Sequence, residues 1–140
     1  MNYPAKVSYR LLFFVFVLIF APIIPILLAG ELNGAVIAVL VILIGSFVLV
    51  LSIFLGTSYQ IDHGKLRIKC GPFSMKPVEI DSIYEISKTS SILSAPAPSF
   101  DRIELKYGKW DSVIISPVDQ VGLIHDLMDI NPSINNRLTV

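Results

Sequence analysis

Two uncharged runs fill most of the first third of the chain, and they restrict its folding more than any other feature. Residues 11–29 read LLFFVFVLIFAPIIPILLA and residues 35–55 read AVIAVLVILIGSFVLVLSIFL, with no Asp, Glu, Lys or Arg in either. A helix rises about 1.5 Å per residue, so each run reaches roughly 30 Å, the thickness of a bilayer's hydrocarbon core. Neither run has a polar face to turn toward water. Two buried core helices are the alternative, but the residues left over are too few to wrap them. The expected organisation is an N-terminal segment (1–10), a first transmembrane helix (11–29), a loop (30–34), a second transmembrane helix (35–55) and one further domain (56–140).

The linker Gly30-Glu31-Leu32-Asn33-Gly34 is short and polar, so the two runs must form an antiparallel helical hairpin. Pro22 and Pro25 should kink or loosen the first helix. Lys6 and Arg10 precede the first run, the linker has no base, and Lys65, Arg67 and Lys69 follow the second. The positive-inside rule then predicts a two-span protein of the cell membrane with both termini cytoplasmic and Glu31 outside. A cleaved signal peptide fits less well, because the apolar stretch is too long and no A-x-A site precedes Gly30.

Charge belongs to the remainder of the chain. Eleven Lys and Arg balance eleven Asp and Glu, and all of the acids except Glu31 lie from Thr57 onward. That balance lacks the basic surplus that phosphate backbones require, so no nucleic acid is expected as a partner. One cysteine, Cys70, excludes an internal disulfide, and with His63 and His125 it makes no zinc spacing. Cys70 reads as a small apolar strand residue, and His125 as a boundary residue of a helix. Paired catalytic carboxylates, G-x-S-x-G, a phosphate loop and H-E-x-x-H are all missing from the sequence. No catalytic residue, metal or cofactor is expected, and the chain reads as a non-enzyme.

After Gly56 the pattern shifts to short alternating stretches. Strands are expected over 58–61, 65–70, 74–80, 83–87, 103–107 and 112–115, with Asp62-His63-Gly64, Gly71-Pro72 and Gly108-Lys109 as turns. Pro77 places the third strand at an edge. Ser116-Pro117-Val118-Asp119 has the composition of a helix start, and Asn131-Pro132 stops that helix. Its apolar stripe is Val121, Ile124, Leu127 and Met128, widened by Leu123 and Ile130. Six strands followed by one helix predict a small β-barrel or sandwich with a C-terminal helix.

Several segments resemble a known family. They are Tyr3-Pro4-Ala5-Lys6 before the hairpin, Gly56-Thr57-Ser58-Tyr59-Gln60-Ile61, Gly71-Pro72-Phe73, the run from Ser94 through Asp101-Arg102 to Tyr107-Gly108, and Ile115-Ser116-Pro117. In these the chain resembles the small bacterial membrane proteins with a PH-like domain, the group that includes the sublancin immunity protein. One departure is Ala95, between the serine and the proline of the Ser-Pro-Ala run. The resemblance implies a PH-like fold of six to seven antiparallel strands with a C-terminal helix, and no enzymatic activity. It implies immunity to a bacteriocin as one role, with the lipid bilayer and a peptide toxin or its membrane target as partners. The alternative is a regulatory or scaffolding module that recruits a protein or anionic lipid at the inner membrane face.

Two groups of residues are candidates for contact. Ser94, Pro96, Asp101 and Arg102 lie in or beside the Ser-Pro-Ala loop and offer a polar point for a ligand or partner. Their competing role is structural, with Asp101 bonding loop N–H groups and Arg102 pairing with Glu104 or Asp81. Lys65, Arg67 and Lys69 alternate on one strand soon after the second run. They offer about 1 kcal/mol each to anionic headgroups, against the competing role of a solvated strand face.

Overall fold

A computed structural model describes residues 1–91 and 98–138. Tyr9–Phe20 forms α1, and the Ser8 side chain caps it by accepting the Leu11 N–H at 3.4 Å. Proline removes a helical N–H, and near Pro22 and Pro25 the helix tightens into a 3-10 turn, Ala21–Ile23, before resuming as α2, Ile24–Leu28. Gly34–Gly56 forms α3, and Asn33 Oδ1 caps it by accepting the Val36 N–H at 3.0 Å. The rings of Phe16, Phe20 and Phe47 pack between the two arms. Little else of the hairpin is covered by protein. Over Tyr9–Leu28 the one buried residue is Ile23, and over Gly34–Gly56 it is Val36. So large an apolar surface does not face water in a soluble protein. Both arms are long and apolar enough to cross a membrane, which supports membrane association.

The first sheet starts ahead of the hairpin. Asn2–Pro4 (β1) pairs antiparallel with Ser58–Asp62 (β2), with Tyr3 opposite Tyr59. The Met1 amine also donates to the Ile61 carbonyl at 3.1 Å. No periodicity in three residues marks this strand in the sequence. Its consequence is topological, because both ends of the hairpin meet at the same sheet.

β2 turns through Asp62-His63-Gly64 into Lys65–Cys70 (β3), where exposed and buried residues alternate strictly. Phe73–Ser74 (β4) and Val78–Glu79 (β5) both pair with β3. The strand expected over 74–80 is thus two fragments. Pro77 has no N–H for a ladder, and Ile80–Ser82 winds into a 3-10 turn. The second sheet contains Ile83–Thr89 (β6), Arg102–Tyr107 (β7) and Asp111–Ile115 (β8), paired antiparallel. Asn135–Asn136 (β9) adds to β6 in parallel, so this sheet is mixed.

Gln120–Ile130 forms α4, whose cap is Asp119; its Oδ1 accepts the Gly122 N–H at 2.9 Å. The start expected at Ser116-Pro117 is displaced because those residues pair elsewhere. The Lys6 N–H donates to the Ser116 carbonyl at 2.7 Å, and the Val118 N–H to the Pro4 carbonyl at 3.0 Å. Tertiary pairing with the N-terminal segment here prevails over local capping. Leu123, Ile124 and Leu127 are the buried face of α4, while Val121 is 80% exposed and Ile130 41%. They close a core formed by Tyr59, Leu66 and Ile68 of one sheet and Ile86, Ile103, Leu105 and Ile115 of the other. Cys70 belongs to that core, and burial pushes its thiol pKa up.

Candidate functional site

The loop between β6 and β7 returns to the start of α1. The Ser8 N–H donates to the Pro98 carbonyl at 2.9 Å, so the end of that loop abuts the cap of the helix. Ser94 and Pro96 lie outside the described residues. Asp101 and Arg102 stand beside them and point to different tasks. The Asp101 carboxylate meets Lys6 at 3.0 Å and Lys88 at 3.9 Å. The bond from Lys6 holds the Asp101 pKa below the usual carboxylate range. Gln120 Nε2 donates to the Asp101 carbonyl at 3.4 Å, which ties the loop to α4.

Arg102 is buried, at 5% exposure. Its Nη1 donates to the Ser91 carbonyl at 2.9 Å and its Nε to the Ser99 carbonyl. The guanidinium fork therefore holds both flanks of the loop, which suits its planar donor geometry. The partners considered from sequence, Glu104 and Asp81, are not the ones it takes. A carbonyl is invisible as a partner in a sequence, since every residue carries one. The sequence marks Lys6 as a topology signal but not as a partner of Asp101, which lies 95 positions away.

Lys65, Arg67 and Lys69 do share the exposed face of β3. Lys65 lies 3.7 Å from Glu79 and Arg67 lies 3.6 Å from Asp62. The stripe runs lengthwise, and its ends differ in position. Gly71 sits against the backbone of Ser52, Ile53 and Gly56 at the end of α3. Lys69 is two residues from that contact, and Lys65 is four residues farther along, roughly 13 Å at strand rise.

At the opposite end of β7 and β8, Trp110 is 95% exposed and Tyr84 45%. Together with Glu104, Lys106, Asp111 and Ser112 they border a recess of about 300 Å³. Beneath it Glu85 accepts from Lys106 at 2.8 Å and faces Arg137 at 3.3 Å. The Lys106 bond lowers the Glu85 pKa and raises that of Lys106. On α4, His125, Asp126 and Asp129 place ligand atoms within 4.8 Å of one another. His125 is exposed and not at a boundary, and its Nδ1 lies 3.1 Å from Asp129. Tyr3 donates to Asp126, and that bond pushes the Tyr3 pKa up to about 12. These internal partners account for the grouping.

A family model described as a bacterial PH domain matches residues 57–131. No curated protein and no solved structure matches the chain. The matched span opens at β2 and closes at Asn131, so β1 and the hairpin lie outside it.

Proposed function

The chain belongs to the bacterial PH domain family, and from that premise we propose that it is a non-enzymatic binding module anchored in the cell membrane. The observation that carries this reading is the double tie between hairpin and domain. β1 enters the domain's sheet before α1 begins, and β2 follows α3 after a single residue. A domain tied at both ends of a membrane hairpin holds a fixed stance at the bilayer surface, which suits binding there. PH-like domains generally bind and do not catalyse. The two ends share one side of the membrane, and the distribution of Lys and Arg supports the cytoplasmic side. Reporter fusions at Val140 and within the loop at Asn33 test this, with an external Val140 overturning it.

The role proposed within that reading is protection against a membrane-active peptide, with Asp101 and Arg102 shaping the contact loop. Its support is the resemblance to the immunity group together with the placement of that loop beside α1. Producing the protein in a sensitive strain should raise tolerance to one bacteriocin and leave unrelated stresses unchanged. No gain across a panel of such peptides would remove immunity and leave the module. A scaffolding role is favoured by a separate observation. Trp110 and Tyr84 expose an aromatic surface at the end of the second sheet away from the hairpin, the kind of anchor that partner proteins use.

A further inference from the structure

We propose that the domain enters the bilayer interface through an apolar rim around the start of α1, formed by Tyr9, Phe100, Val118 and Val121. The inference rests on the reading of the hairpin as spanning. Each of the four side chains is more than half exposed: Tyr9 74%, Phe100 58%, Val118 61% and Val121 80%. They come from three segments of the sequence, and hydrogen bonds gather them. Pro98, two residues before Phe100, accepts from Ser8. Val118 donates to Pro4, and Lys6 donates to Ser116. Gln120, beside Val121, reaches the carbonyl of Asp101, beside Phe100. Residues 4–8 are thus flanked on two sides by segments that carry exposed apolar groups, at the point where the chain turns into its first apolar helix.

The occupant follows from continuity. α1 begins at Tyr9 and is apolar to Phe20 apart from Arg10. The bilayer that receives α1 therefore begins at the rim, and no other partner is required to cover it. Aromatic residues at that depth are the usual anchors of a spanning helix, and Arg10 can reach back to the headgroups.

The charges behind the rim suit a medium of lower dielectric. Asp101 is held by Lys6 and Lys88, and the Arg102 fork is bonded to two carbonyls. A rim of this kind works by burying apolar area and not by attracting anionic lipid. Its contact should therefore be indifferent to headgroup charge and to salt.

The test uses the whole protein reconstituted in phosphatidylcholine vesicles with brominated chains, which quench tryptophan on contact. Trp110 is the only tryptophan, and it lies in the turn between β7 and β8, at the other end of β7 from Arg102. Replacing it with Phe clears the background. In that background Phe100→Trp reports on the rim and Leu18→Trp on the middle of the first span. With bromines near the glycerol end, Phe100→Trp should emit at shorter wavelength and lose roughly half its intensity. With bromines at mid-chain, Leu18→Trp should be quenched, while Trp110 in the native chain should be quenched by neither. Adding anionic phosphatidylglycerol, or salt, should leave the Phe100→Trp signal unchanged.

Quenching at Leu18→Trp without quenching at Phe100→Trp would overturn the rim and leave the spanning hairpin intact. Quenching at neither site would remove the spanning reading and the rim with it. Quenching at Phe100→Trp alone would lay the hairpin along the interface and overturn the rim as the entry point of a spanning helix. Quenching of Phe100→Trp that requires anionic lipid would replace an apolar contact with an electrostatic one.

Discussion

In the hairpin, Phe13, Leu18, Val41 and Ile42 are each more than half exposed; in the domain, Leu66, Ile86, Ile103 and Leu105 are entirely buried. The residue types are the same and the surroundings differ. The hairpin is apolar on every side and satisfies its backbone within each helix, so composition alone defines it. The domain is covered by itself, so alternation and pairing define it. The two regions meet at few points, and those points decide whether the molecule behaves as one body or two.

The strongest meeting point is a pair of glycines. A Cβ on Gly71 would stand 2.5 Å from the Ser52 carbonyl oxygen, and one on Gly56 would stand 2.6 Å from the Gly71 Cα. Gly71 also has φ +58, whereas Gly64, with φ +72, faces open space. Gly71→Ala is therefore expected to cost about 2–4 kcal/mol and Gly64→Ala about 1 kcal/mol. Denaturation of the protein in detergent, followed by proteolysis of the domain, compares the two. Equal losses would mean that α3 and the β3–β4 turn part freely, and the hairpin would then be a tether.

That contrast also explains what could be read from sequence. Spans, turns and the β7–β8 hairpin are local, and each leaves a local mark: absence of charge, Gly-Lys between alternating runs, strict alternation in Lys65–Cys70. β1 left none, because three residues have no period. The start of α4 was misplaced because Ser116-Pro117 has helix-start chemistry but serves Pro4 and Lys6 instead. At the candidate site Asp101 and Arg102 stand out in the sequence as a polar pair beside the loop, but their partners do not. Lys6 lies far away in sequence, and the Ser91 and Ser99 carbonyls have no sequence signature.

The next prediction concerns Arg102, which belongs to the domain but holds the loop that meets α1. Arg102→Met keeps most of the apolar stem and removes the fork. Losing two buried bonds to carbonyls should cost about 1–3 kcal/mol. Arg102→Lys should recover only part of it, since a single ammonium cannot match the fork. Midpoints of urea unfolding check the order. Wild-type stability in Arg102→Met would show that the loop is held by something else.

Acid should act on both regions through two carboxylates. Asp101, bonded to Lys6, ties the domain to the N-terminal segment; Glu85, bonded to Lys106, lies wholly inside the domain. Both have pKa values lowered in the folded state. Their contributions are therefore complete above the ordinary values of 3.8 and 4.5, and fade as pH falls through the lowered ones. Thermal midpoints should stay level from neutral pH to about pH 5 and fall below about pH 4. Glu85→Gln and Asp101→Asn should each flatten part of that fall. An unchanged acid limb in both variants would assign the loss to other carboxylates.

The smallest effect is expected at Lys65, Arg67 and Lys69. All three are exposed, and the pairs with Glu79 and Asp62 are surface pairs, so replacing the three with Gln should change stability by less than about 1 kcal/mol. Their effect on lipid depends on how they lie. The stripe extends away from the end of α3, and roughly 13 Å separates Lys69 from Lys65. Beyond a Debye length of about 8 Å a base senses little of the headgroup charge, so Lys69 should act nearly alone. Energy transfer from Trp110 to a labelled lipid reads the height of the far end of the domain in the reconstituted protein. Changing from neutral to anionic lipid should alter it slightly, and Lys69→Gln should remove as much of that change as the triple variant does. A large approach in anionic lipid, lost only when all three bases are replaced, would mean that the domain lies on its β3 face. The stripe, and not the rim at α1, would then set its stance.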